Sequence, residues 1–133
     1  MKKMFPVVHF EMPAEDRHRM VNFYSSVFGW QAQFFGEDMG NYVTVSTTET
    51  DEKGMIKNPG AINGGFYPKR QDTLGQRTSL VIAVDDITQS SKDITEAGGK
   101  IQGEPVDIPG VGKYVSFLDT EGNVLSLLQP LPR

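Results

Sequence analysis

His9 and Glu11 stand two residues apart in Val8-His9-Phe10-Glu11-Met12. On a β-strand that spacing puts both on one face. An imidazole beside a carboxyl group can accept or donate a proton, or orient a bound ligand. The plainer alternative is a hydrogen-bonded pair inside a polar cleft. The second histidine, His18, lies between Arg17 and Arg19 and reads as solvated surface, so only His9 is placed to act as a base. No Ser-His-Asp arrangement is supported. Trp30, Phe34 and Phe35 could wall a planar ligand, although Phe34 and Phe35 must point to opposite faces of a strand. Gly64 and Gly65 either leave room for a ligand or mark a bulge. Tyr42 and Tyr114 each combine an apolar body with a polar tip, for which core packing is the default. Gly110-Val111-Gly112 lacks the strand-to-helix context of a phosphate loop.

The elements that must position these residues come in two copies. His9 and Ser79 are 70 positions apart, as are Gly29 and Gly99, and Asn41–Val45 aligns with Lys113–Phe117 at an offset of 72. Such a repeat implies two supersecondary units. In the first, residues 6–12 alternate as a half-buried strand that Pro13 ends. Acidic Glu15 and Asp16 suit a helix start. Met20, Phe23, Tyr24 and Val27 then form an apolar stripe expected to dock on a sheet, and Gly29 stops the helix. Strands follow at Trp30–Phe35, Asn41–Thr47 and Ala61–Tyr67, with 68–77 as connector.

The second unit repeats the order. Ser79–Val84 is a strand. Asp85 or Asp86 caps a helix to about Ala97, with Ile87 and Ile94 on its inner face. Lys100–Gly103 is a short strand and Pro105–Gly112 a loop. Lys113–Leu118 and Val124–Gln129 are strands joined by the turn Asp119–Asn123. Each unit reads as βαβββ. The fold class is therefore α+β: two βαβββ modules in tandem, about 5–68 and 77–130 of one domain over 1–133, with curled mixed sheets around a cleft.

Composition narrows the function classes. Thirteen basic residues are scattered against seventeen acidic ones, which argues against nucleic acid as partner. Without cysteine there is no disulfide framework, thiolate metal site or Cys nucleophile. No run approaches transmembrane length, and the segment after Lys2-Lys3 is broken by Pro6 and His9 too early for a signal peptide. The expected setting is cytoplasmic.

Val8-His9-Phe10, Asn22-Phe23-Tyr24 and Phe28-Gly29-Trp30 in the first half carry a resemblance. Ala83–Ile87, Ala97-Gly98-Gly99 and Phe117–Val124 carry it in the second. The chain resembles the vicinal oxygen chelate superfamily, which includes glyoxalase I, bleomycin-resistance proteins and extradiol dioxygenases. Its nearest likeness is to the branch related to lactoylglutathione lyase, whose members are mostly of unassigned activity. The resemblance implies a small-molecule ligand and a homodimer. It also implies four metal ligands, His or Glu, on the first, fourth, fifth and eighth strands. His9 matches the first. The fourth falls near Gly64, the fifth on Ser79 and the eighth on Ser126. A hydroxyl is a poor donor for a divalent ion, and glycine offers none. The expectation is thus no metal and no cofactor, with His9 the only family ligand retained.

The leading expectation is a metal-independent small-molecule-binding protein with His9, Glu11, Ser79, Ser126 and Gly64 as ligand-binding candidates. His9 and Glu11 are its candidates for any acid–base chemistry. One alternative is a metal-dependent lyase or isomerase related to glyoxalase I. Another is an interaction module with no open ligand site.

Overall fold

Each half of the chain packs a helix against one face of its sheet. The computed structural model describes residues 2–71 and 76–132. The elements in chain order are β1 (Val7–Ala14), α1 (Arg17–Phe28), β2 (Gln31–Phe34), β3 (Val43–Ser46), β4 (Asn63–Pro68), β5 (Ser79–Ala83), α2 (Ile87–Glu96), β6 (Lys100–Ile108), β7 (Gly112–Leu118) and β8 (Val124–Pro130). This is βαβββ twice, an α+β fold. No helix among the described residues is long and apolar enough to cross a membrane. Of the expected connector at 68–77, residues 72–75 lie outside the described residues.

Two compact units emerge: 9–78, and 79–133 together with 1–8. The first eight residues therefore belong with the second half of the sequence. Phe5 packs against that unit's core, Ala83 N–H donates to the Pro6 carbonyl at 3.0 Å, and Lys3 pairs with Asp85 at 2.7 Å.

In the 9–78 unit the strand order is β2-β3-β4-β1. β1 and β4 run parallel, and the other neighbours are antiparallel. Ala14, Val43, Val45 and Phe66 form the buried core, with Phe10, Met12, Met20, Val21, Tyr24, Trp30 and Ala32 packed on it. Full burial of a side chain such as Val43, Val45 or Phe66 contributes roughly 1.5–3 kcal/mol. Asp16 caps α1 by accepting from Arg19 N–H at 3.1 Å. Gly29 closes the helix in the left-handed region at φ 74°, which glycine enters at no steric cost because it has no Cβ. The expected apolar stripe is only half right. Met20 and Tyr24 reach the core, whereas Phe23 and Val27 face outward and are more than half exposed. Val21 takes their place, because the buried arc of the helix is rotated toward it.

Trp30 was a candidate for a ligand wall. It stacks instead on Tyr24 (centroids 4.6 Å apart, planes 12° apart) and lies against Phe10, within the packing of the core. Phe34 packs against two side chains of α1: His18 stacks on it at 4.5 Å, and the Arg17 guanidinium lies 5.2 Å from its centroid.

In the other unit the order is β5-β8-β7-β6, with β5 and β8 parallel. Val84, Ile87, Val115, Phe117 and Leu127 form its core, joined by Ile94. Asp86 is the cap of α2 and accepts from Gln89 N–H. The expected loop at Pro105–Gly112 is mostly strand: β6 continues to Ile108, with a register shift between Gln102 and Val106. Gly103 and Pro105 fall inside that shift. A bulge is where a sheet tolerates a proline without losing its ladder, and so the proline does not end the strand.

Candidate functional site

The register of each sheet decides which side chains share its polar face. In the 9–78 unit, Glu11 pairs with Gly65 on β4, and Gly65 pairs with Thr44 on β3. His9 pairs with Asn63. His9, Glu11, Asn63, Gly65 and Thr44 therefore lie on one face, and Phe10, Gly64, Phe66 and Val43 on the core face.

Tyr42, just before β3, joins this set. Neighbouring strands stand about 4.8 Å apart, so a side chain rooted beside β3 must cross β4 to touch β1. Tyr42 does so at Gly65. A Cβ built on Gly65 would collide with the Tyr42 hydroxyl and ring, which means the phenol lies where a side chain would stand. Its Oη donates to Glu11 Oε2 at 3.1 Å and lies 3.1 Å from His9 Nε2. The two residues picked out by their spacing are thus joined through a third.

The fourth-strand position comes out one residue later than expected. A Cβ on Gly64 would meet the Phe10 ring, on the core face. The polar face belongs to Gly65.

Arg17 positions the tyrosine. Its guanidinium donates to the carbonyls of Phe35 (2.6 Å) and Asn41 (3.1 Å), clamping both sides of the turn that delivers Tyr42. The Phe35 N–H donates to the Tyr42 carbonyl at 2.9 Å. Burial pushes the His9 imidazole below its ordinary value, and the nearby Glu11 charge only partly opposes this. Burial disfavours the charged form, so His9 is neutral near pH 7.

The 79–133 unit builds a different polar face from matching positions. Val81 pairs with Ser126, and Ser126 with Ser116. By pairing, Val81 is the counterpart of Glu11, Ser126 of Gly65, and Ser116 of Thr44. Ser126 is 1% exposed. Its Oγ donates to Tyr114 Oη at 2.7 Å and lies 3.0 Å from Ser116 Oγ. Ser79 donates to the Val124 carbonyl at 2.9 Å. This is a neutral hydroxyl cluster with its bonding satisfied internally.

Tyr42 and Tyr114, expected as core, thus carry the polar contacts of both faces. The signal was present in the sequence: they are repeat mates with polar tips. Nothing in the spacing, however, shows how far each hydroxyl reaches.

The four positions that the resemblance assigns to a metal do not fit one. His9 offers an imidazole, whose Nε2 is engaged by Tyr42. Gly65, like Gly64, offers nothing. The Ser79 and Ser126 hydroxyls are neutral and committed to other partners. Glu11 adds one carboxylate, already accepting from Tyr42. Among the described residues no group of three or more His, Cys, Asp or Glu could hold a metal ion.

Comparison with known proteins agrees with the fold. A glyoxylase-like domain-containing protein of Didymella fabae is 30% identical over 116 residues, 85% of this chain and 84% of its own length. A Mycobacterium tuberculosis protein with a provisional glyoxylase name, CFP32, is 39% identical over 79 residues, or 59% of this chain. The match spans only 30% of that relative's length. Among solved structures, a variant of Streptomyces coelicolor methylmalonyl-CoA epimerase in complex with 2-nitronate-propionyl-CoA superposes with a TM-score of 0.69. It is 16% identical, and the match covers 98% of this chain and all of that one. At that identity the likeness concerns the fold alone. The family model of the Glyoxalase/Bleomycin resistance protein/Dioxygenase superfamily matches residues 7–127, and the chain belongs to that superfamily.

Proposed function

We propose that this chain is a metal-independent, small-molecule-binding member of its superfamily, with His9, Tyr42 and Glu11 at the polar end of the binding surface. The observation that carries the reading is the Tyr42 hydroxyl, 3.1 Å from both the imidazole and the carboxyl group. The hydroxyl holds the two polar groups together for a ligand, while Gly65, Ser79 and Ser126 bring no charged donor for an ion. The same group supports mild acid–base chemistry, with neutral His9 as base. Ser79 and Ser126 are buried in the other unit with their hydroxyls bonded there, and no role at this surface is proposed for them.

The epimerase was solved with an acyl-CoA analogue. Acyl thioesters are therefore a first ligand class to try, beside the thiohemiacetals that a glyoxalase likeness suggests. Calorimetric titration in the presence of a chelator tests the reading. Binding should survive chelation and weaken roughly tenfold or more in His9→Ala, since a hydrogen bond to a charged or buried partner is worth about 1.5–3 kcal/mol. Binding abolished by chelation and restored by a divalent ion would contradict it.

The glyoxylase names of both relatives favour a second reading, a metal-dependent lyase or isomerase that uses His9. Metal-dependent turnover of a thiohemiacetal, lost in His9→Ala, would establish it. We further read the chain as a cytoplasmic homodimer. Light scattering should give about twice the chain mass of 14.7 kDa.

A further inference from the structure

We infer that Tyr42 fixes His9 as its Nε2–H tautomer and leaves Nδ1 as an accessible lone pair, so that the site takes ligands presenting a hydrogen-bond donor such as a hydroxyl or amide. The ligand class rests on the binding function proposed above; the tautomer does not. A tyrosine hydroxyl has one proton, and a carboxylate can only accept. With Tyr42 Oη donating to Glu11 Oε2, its oxygen has only lone pairs left for His9 Nε2 at 3.1 Å. That nitrogen must then carry the proton. In a neutral imidazole the other nitrogen is an acceptor.

Nδ1 has no hydrogen-bond partner among the described residues. No side-chain nitrogen or oxygen there is both buried and without a partner, and therefore Nδ1 reaches the surface. The Glu11 carboxyl group beside the imidazole adds a second acceptor to this end of the site, where anionic groups would be disfavoured. Gly65 makes the arrangement possible, since any side chain there would occupy the place of the Tyr42 phenol.

Nitrogen-15 NMR of the ligand-free protein near pH 7 reads the tautomer directly, with His18→Gln used to assign the two imidazoles. The wild type should show a protonated Nε2 and an unprotonated Nδ1. Loss of one hydrogen bond changes such a preference by about tenfold. Tyr42→Phe should therefore yield a mixture of tautomers, and Gly65→Ala, which displaces the phenol, should do the same. A protonated Nδ1 in the wild type would overturn the assignment. So would an unchanged tautomer in a folded Tyr42→Phe protein. Amide- or hydroxyl-bearing fragments should then shift the Nδ1 signal more than carboxylates of the same skeleton, and the reverse order would overturn the ligand class. Silence from both would sink the ligand class together with the binding proposal. The tautomer would still stand or fall on the ligand-free spectrum.

Discussion

The two units start from the same plan and differ at the strand between the tyrosine and the first strand of the repeat. In the 9–78 unit that strand carries Gly65. The Tyr42 hydroxyl passes over it and reaches the imidazole and the carboxyl group on β1. In the 79–133 unit the matching strand carries Ser126, and the Tyr114 hydroxyl stops there at 2.7 Å. The outer positions follow suit: His9 and Glu11 on one side, Ser79 and Val81 on the other. A side chain of two heavy atoms thus separates a face with a titratable imidazole from one whose hydroxyls satisfy each other. The lesson is that duplication supplies the scaffold, while small residues decide how far a long side chain can reach.

The sharpest way to break this comparison is to move the charge. Val81 is 2% exposed and lies beside hydroxyls that already have partners. Val81→Glu should destabilise the protein by about 3–5 kcal/mol, the scale of an uncompensated buried charge, in urea unfolding at pH 7. A cost below about 1 kcal/mol would mean that the two faces are interchangeable. Gly65→Ser gives the first unit the residue of the second. It should cost about 1–3 kcal/mol by overpacking, and it should detach Tyr42 from Glu11. A fully stable variant with the bridge intact would contradict the crossing geometry.

A smaller effect separates the tyrosines. Tyr42→Phe removes a donor from Glu11 and a partner from His9. Tyr114→Phe removes an acceptor from Ser126, which still has Ser116 within reach at 3.0 Å. The first should cost about 1–3 kcal/mol and the second nearer 1, compared under identical denaturant conditions. Equal costs would remove the argument that only one face is strongly coupled.

The smallest effect is that of pH. His9 titrates below its ordinary value of 6.5 in the folded protein because it is buried. As pH falls from 6.5 toward the folded value, the unfolded chain binds a proton that the native state does not. Native stability therefore drops across that window and is fully retained above it. His9→Gln should flatten this slope in denaturation curves measured between pH 7.5 and 5.5. Ser79, the matching residue of the other unit, contributes no such slope. An unchanged slope in His9→Gln would place the titration elsewhere.

Much of this was legible in the sequence, for identifiable reasons. The alternation around His9 showed which residues share a face with Glu11, because a strand has a period of two. The Gly29 stop and the Asp86 cap follow local backbone rules and came out as expected. What failed depended on distant packing. The outward turn of Phe23 and Val27 reflects where α1 meets the sheet, which helical periodicity alone leaves undefined. Pro105 reads as a strand breaker, yet it sits in a bulge of β6. Gly64 and Gly65 differ by one position in the chain and by a whole face in the sheet, and only the pairing with Glu11 separates them. The reach of Tyr42 depends on Gly65, which is 23 residues away in the chain.

The central claim is that one imidazole and one carboxyl group, bridged by Tyr42, do not make the metal site of the superfamily. Elemental analysis of protein purified without chelator, then dialysed, tests it most directly. The account predicts far less than one zinc, nickel, iron or manganese per chain, unchanged in His9→Ala. About one such ion per chain, lost in His9→Ala, would contradict it.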